Sequence, residues 1–219
     1  MEDSLAMARA LLSVGFTTAA PSPHHRPQYP SYSRELCQAK LLELRAELEA
    51  QAVPLELMLG AENYFLEDGL FKEVGTPQAR LIGASKALLV EAPYAGPLPT
   101  LPDLIFRLRL KGVIPVIAHP ERCPEFEKRG RAAEAVRCGA HLQLDLGSLI
   151  GRHGKAAQKV ASELLGEGLY TVAATDAHSP LKLEEWVSQS LTALHRAGGA
   201  KTVSQLLEHG PRGLLNGSL

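Results

Sequence analysis

The side chains of this 219-residue chain that could do chemistry follow a pattern. His24 and His25 come after the short apolar stretch "FTTAA" (16–20), Glu62 closes "LELMLGA" (55–61), and Glu91 closes "KALLV" (86–90). His119, Glu121 and Arg122 follow "VIPVIA" (113–118). The segment "HLQLDL" (141–146) carries Asp145 and leads to Ser148, and Asp176 and His178 follow "YTVAA" (170–174). Imidazole and carboxylate donors without cysteine suit hard-to-borderline divalent ions such as manganese, iron, zinc or magnesium. Carboxylates arriving from different segments suit two or more metals acting on a phosphoryl group or a carbonyl.

Each of these residues has a plainer reading on its own. A lone histidine after a strand is usually a hydrogen-bonded edge residue, and a glutamate there is usually solvated or caps the next helix. The pair in "TDAH" is a short motif, although residues i and i+2 of an extended segment point to one side. Their shared position in the chain is what argues for a site.

Convergence requires elements that all point the same way. Apolar residues at Leu5, Ala8, Leu11 and Leu12 have helical spacing over 3–14, with Asp3 or Ser4 as cap. A Pro-rich loop, "PSPHHRPQYPSY" (21–32), precedes an expected long helix over 33–51. Further helices are expected at 101–111, 125–138, 155–165, 182–197 and 201–209. Strands are expected at 16–20, 55–63, 86–92, 112–119, 141–146 and 169–175. Strands alternating with helices predict βαβ units and a mainly parallel sheet, in one α/β domain spanning 1–219. The carboxyl ends of parallel strands form one face, and five of these six strands, all but the one carrying Asp145, would place there a histidine or carboxylate suited to binding a metal.

Composition bounds the function. With 24 acidic and 23 basic residues there is no general attraction to nucleic acid or to an anionic membrane. No apolar run approaches a membrane span, and no basic-then-apolar signal pattern opens the chain. The three cysteines, Cys37, Cys123 and Cys138, are widely spaced and form no CxxC, which predicts reduced thiols in a cytoplasmic protein. One competing chemistry remains, because Cys123 and Arg129 have the C-x5-R spacing of cysteine-dependent phosphatases. That loop needs backbone donors around a phosphate and a lowered thiol pKa. Here it has no glycine, Pro124 removes a donor, and Glu125 and Glu127 would repel a dianion. Cys123 therefore reads as structural.

The ordered set "SPHHR", "GAENYF", "LLVEAP", "PVIAHPER", "LQLDLGSLIGRHG", "VAATDAH" and "HGPRGLLNG" resembles the bacterial polymerase-and-histidinol-phosphatase (PHP) superfamily. It is most similar to the branch of metal-dependent protein tyrosine phosphatases of capsule and exopolysaccharide biosynthesis. The resemblance covers essentially the whole chain. It implies a distorted (β/α)7 barrel with a metal cluster, commonly of manganese. The implied activity is removal of phosphate from the tyrosine-rich tail of a bacterial tyrosine kinase. The implied metal ligands are His24, Glu62, Glu91, His119, Asp176 and His178. His119 and Asp176 would also serve the chemistry, in which metal-activated water attacks phosphorus, and Arg122 would clamp the phosphate bidentately. His25 and Arg26 are weaker candidates for substrate contacts, and Glu121 has no assigned role. A histidinol-phosphatase-like phosphoesterase and an inactive interaction module are the alternatives. The family begins with a strand bearing D-x-H-x-H, ahead of the helix that "EDSLAMARALLSVG" resembles. A chain beginning at Met1 is therefore expected to lack one barrel strand and part of the cluster, with weakened metal binding and low or absent turnover.

Overall fold

The computed structural model describes residues 1–67 and 69–218. Helix α1 spans Glu2–Ser13 and α2 spans Arg34–Ala50; strand β1 (Thr18–Ala19) lies between them. Strands β2 (Glu56–Leu57) and β3 (Asn63–Tyr64) are followed by the single turn α3 (Leu70–Glu73). Then come β4 (Ala87–Glu91), α4 (Leu101–Leu110), β5 (Ile114–Ala118), α5 (Arg131–Arg137) and β6 (His141–Asp145). The chain continues through α6 (Gly154–Gly166), β7 (Val172–Ala174), α7 (Leu183–Ser204) and α8 (Gly210–Asn216).

All pairings are parallel. Strand β1 pairs with β2, and β3-β4-β5-β6-β7 form a second sheet in sequence order. Every residue of β4 and β5 is buried, as befits central strands of a parallel sheet covered on both faces. Alternation divides their side chains. Leu88, Val90 and Ile117 enter the main core with α4, α5 and α6, whereas Ala87, Leu89, Ile114, Val116 and Ala118 pack on the opposite face with Leu214 of α8. The result is an α/β fold built on a parallel sheet. Among the described residues no ladder joins β7 to β1. Among them, too, no helix is long and apolar enough to cross a membrane.

Several local expectations need correction. The strand expected over 55–63 is two pieces, β2 and β3, because the loop carrying His24 runs alongside the bend between them. Gly60 N–H donates to Pro21 O, Glu62 N–H to Pro23 O and His25 N–H to Glu62 O at 2.8–3.1 Å. Gly60 permits this approach, since a Cβ there would lie 2.5 Å from Ser22 Oγ. The pairing of β1 with β2 thereby continues as a bridge between His24 and Glu62. The helix expected over 125–138 begins only at Arg131. Gly130, at φ 83°, breaks it from a 3-10 turn over Pro124–Glu127. Glu125 in that turn is buried, accepting from Leu98 N–H at 2.7 Å and pairing with Arg131. The two C-terminal helices expected over 182–197 and 201–209 do meet at a break, Gly199, whose φ 71° and ψ 177° are not helical, but the second runs on through a π-turn into α8. Helix α1 starts at Met1 with no side-chain cap, so neither Asp3 nor Ser4 serves, whereas Ser33 caps α2 through Leu36 N–H.

The π-turn and α8 press against the start of β7 through Gly210. A Cβ at this position would lie 1.9 Å from the backbone oxygen of Thr171. Backbone cannot yield as a flexible side chain would, so Gly210→Ala is expected to destabilise the fold by about 3 kcal/mol. A urea-unfolding midpoint equal to that of the parent would contradict this packing.

Candidate metal centre

Parallel register sets the site's geometry. Glu91, the last residue of β4, is level with Ala118, the last of β5, and Ala118 is level with Gln143 of β6. Tyr64, at the end of β3, is also level with Glu91. The residues at and just beyond these ends are therefore neighbours.

His24, Glu62 and Glu91 each offer a donor atom within 4.8 Å of the others. Glu62 is shared between two imidazoles, with His24 Nε2 3.2 Å from Oε2 and His119 Nε2 3.0 Å from Oε1. His119 Nε2 also lies 3.9 Å from Glu91 Oε1. Glu62, Glu91 and His119 are buried. Burial pushes the Glu62 carboxyl up, but the His119 hydrogen bond and the charges of His119, His24 and Arg26 outweigh it and hold the group below its ordinary range. Arg26 pairs with Glu91 and lies over the Tyr64 ring at 4.1 Å. The donor set is thus two buried carboxylates with imidazoles beside them, and Arg26 supplies positive charge where such carboxylates require it. Nitrogen and oxygen donors of this kind fit a divalent cation.

A second group adjoins the first through the turn after His119. Arg122 Nη1 donates to Asp176 Oδ2 at 2.6 Å and to Asp145 Oδ2 at 3.4 Å. The same Asp145 oxygen lies 2.6 Å from His153 Nε2, and Asp145 Oδ1 accepts from Gly147 N–H at 2.8 Å. Glu121 accepts from Asp145 N–H and the Tyr170 hydroxyl, both at 2.9 Å. It ties the end of β5 to β6, and burial raises its pKa. Tyr94 stacks on His119 with centroids 5.8 Å apart, its hydroxyl 3.2 Å from Nδ1. His119 is thus held at Nδ1 by the Tyr94 hydroxyl and at Nε2 by Glu62, and burial raises the pKa of the phenol.

The expected residues therefore fall into three sets. His24, Glu62 and Glu91 come together, with His119 beside them. Asp176 is held by Arg122 in the second group. His178 is exposed, its Nδ1 2.7 Å from the Asp176 carbonyl oxygen. His25 departs from the substrate role expected of it. It is buried, with Nε2 2.8 Å from Glu73 Oε2 and Nδ1 3.3 Å from Arg80 Nη1, so both ring nitrogens are engaged structurally. Arg26 likewise faces a carboxylate of the cluster. Asp145 stood among the strand-end groups without a role, and His153, Tyr94 and Glu121 gave no sequence signal of their parts.

Two of these residues adopt a costly backbone. His119 has φ 31° and Asp176 φ 48°, in the left-handed region that non-glycine residues seldom occupy. Such conformations cost about 1–3 kcal/mol each and persist where surrounding structure enforces them, often at functional sites.

Buried imidazoles and carboxylates at the carboxyl ends of parallel strands, beside an arginine, define a metal-dependent hydrolase class of site. Comparison with known proteins makes this narrower. The chain belongs to the CpsB/CapC family of capsular polysaccharide synthesis, which matches it over residues 1–216. The tyrosine-protein phosphatase YwqE of Bacillus subtilis is 29% identical over 212 residues, covering 94% of this chain and 82% of YwqE. CapC of Staphylococcus aureus is 28% identical over 181 residues, covering 82% of this chain and 70% of CapC. A crystal structure from work on YwqE and on CpsB of Streptococcus pneumoniae, described as unique metal-dependent tyrosine phosphatases, superposes with a TM-score of 0.85. It is 30% identical and covers 98% of this chain and 87% of that one. An organophosphorus hydrolase of Deinococcus radiodurans shares the fold alone, at a TM-score of 0.56 and 17% identity.

The geometry also disposes of cysteine chemistry. Cys123 is 1% exposed, its thiol lies 3.3 Å from the Ala92 carbonyl oxygen, and Arg129 is exposed. Burial pushes the thiol up to about 12 from its ordinary 9. Because the folded value is the higher, the stabilisation from a neutral thiol is complete below pH 9 and is lost as pH rises toward 12. Iodoacetamide at neutral pH is expected to label the half-buried Cys37 and Cys138 in the native protein but not Cys123, as read by mass spectrometry. Cys123→Ser should leave phosphatase activity within about twofold of the parent, far from the loss that removal of a nucleophile causes. Native-state labelling of Cys123 would refute its burial.

Proposed function

We propose that this chain is a metal-dependent protein tyrosine phosphatase linked to the regulation of capsular or exopolysaccharide synthesis. The observation that carries this reading is the cluster of His24, Glu62 and Glu91, with His119 adjoining, in a chain of the CpsB/CapC family. The reading extends to a distorted barrel, supported by likeness to the YwqE and CpsB work. Asp176 of the second group and the exposed His178 are proposed as further ligands. A divalent cation held by these residues, with manganese our choice, supplies Lewis-acid polarisation of phosphoryl oxygens and acidification of water.

The remaining work falls to the chain's own side chains. Arg122 stands at the turn between the two groups, paired with Asp176 and Asp145, and its fork suits the oxygens of a phosphate. Asp145, fixed by Gly147 N–H, holds that guanidinium in place. The Tyr94 hydroxyl and Glu62 together orient His119. The buried walls around Glu62 and Glu91 strengthen every charge interaction within them. The proposed substrate is a phosphotyrosine protein, a bacterial tyrosine kinase, in the cytoplasm.

The central test is hydrolysis of a phosphotyrosine peptide by the chain, abolished by EDTA and restored by Mn2+. Activity that survives complete metal removal would refute the reading. A higher kcat/KM on histidinol phosphate than on the peptide would favour a small-molecule phosphoesterase, and metal binding without hydrolysis of either would favour an interaction module. Independently of turnover, Glu91→Gln is expected to weaken Mn2+ binding at least tenfold by calorimetry, about 1.4 kcal/mol or more. An unchanged dissociation constant would remove Glu91 from the ligand set.

A further inference from the structure

The imidazoles on the two oxygens of Glu62 each carry a tyrosine on their rings. Tyr29 stacks on His24 with centroids 5.2 Å apart and planes inclined by 22°. Tyr94 stacks on His119 at 5.8 Å and 16°. Each of these two imidazoles thus has one aromatic ring stacked on it. Both remain open to solvent, Tyr29 at 42% and Tyr94 at 43% exposure, so neither is there to fill the core. Tyr94 has a second neighbour, for the Arg122 guanidinium lies 5.3 Å from its ring centroid. The cation suited to a phosphate and an exposed aromatic ring therefore stand side by side.

A phosphoryl group bound against the metal cluster and Arg122 would have its ester group beside the ring that Arg122 faces, Tyr94, and near imidazoles on which both tyrosines stack. An alkyl ester has little to offer such surfaces. An aryl ester is a flat, rigid ring one oxygen away from phosphorus, and aromatic rings in offset or edge contact gain beyond the area they bury. We propose that Tyr29 and Tyr94 are the walls of an aryl slot, so that the site selects aryl over alkyl phosphate groups. This inference rests on the phosphatase reading and names what makes it selective. Tyr94 has a separable second duty, because its hydroxyl also meets His119 Nδ1.

The test uses the Mn2+-loaded chain, with metal content verified, and two non-hydrolysable probes, phenylphosphonate and methylphosphonate. Dissociation constants from calorimetry make the readout independent of turnover. The parent is expected to prefer phenylphosphonate by about fivefold, the scale of one aromatic contact. Tyr29→Leu and Tyr94→Leu should each reduce that preference and the double variant should abolish it, read as the ratio of the two phosphonate dissociation constants at saturating Mn2+. Tyr94→Phe, which keeps the ring and removes the hydroxyl, should retain it. The slot is overturned if the double variant keeps the preference, or if the leucine variants weaken both phosphonates equally, which would mean that the tyrosines only order the metal ligands. Failure of the metal-loaded parent to bind either phosphonate would overturn the phosphatase reading itself, and the slot with it.

Discussion

The parallel register of the central strands is the constraint on which the site depends. Because Tyr64, Glu91 and Ala118 are level across three strands, the residues leaving those strands have one place to go. The packing of β4 and β5 on both faces anchors that register, since sliding either strand by one residue would exchange the side chains fitted into the two cores. The polar residues at the ends then accumulate charge that the sheet cannot solvate. Glu62 and Glu91 must find polar partners, and they find His24, His119 and the guanidinium of Arg26. The packing of the core and the charge balance of the site are consequences of one alignment.

The second group extends the same logic sideways. Asp145 ends β6 and would be an isolated buried carboxylate without Arg122, His153 and Gly147 N–H. Glu121 has no cation among these contacts and accepts instead from a backbone N–H and the Tyr170 hydroxyl, in keeping with a carboxyl whose pKa burial raises. Two acidic residues at neighbouring strand ends thus do different things. Asp145 is available to hold an arginine, whereas Glu121 acts as a structural tie.

Much of this was legible in the sequence. Alternation of apolar runs with helical spacing indicated the parallel sheet, and the strand-end positions of His24, Glu62, Glu91 and His119 led to the cluster. The failures have physical causes. His24 and His25 are adjacent on a locally extended backbone, where neighbours face opposite sides, so only one could join Glu62. For Asp176 and His178 the i, i+2 argument assumed extended backbone, which φ 48° at Asp176 replaces, so the proposed ligand role of both rests on the family resemblance and not on that periodicity. The partnership of Asp145 with His153 and the stacking of Tyr29 and Tyr94 are contacts across loops, invisible to local periodicity. Glycine explains the broken helix, because Gly130 in the left-handed region stands at the N-cap of α5 and separates it from the 3-10 turn.

The left-handed backbone at His119 and Asp176 sets two design goals against each other. Glycine or asparagine at either position would relax the main chain and thereby favour the folded state, yet each would delete a side chain that the site uses. Laboratory selection for heat resistance alone would drift toward such replacements and return a sturdier molecule with an emptied centre. Hardening this protein without that loss means working where the backbone is unstrained and the surface is greasy, as at Leu110 and Leu181, 71% and 75% exposed.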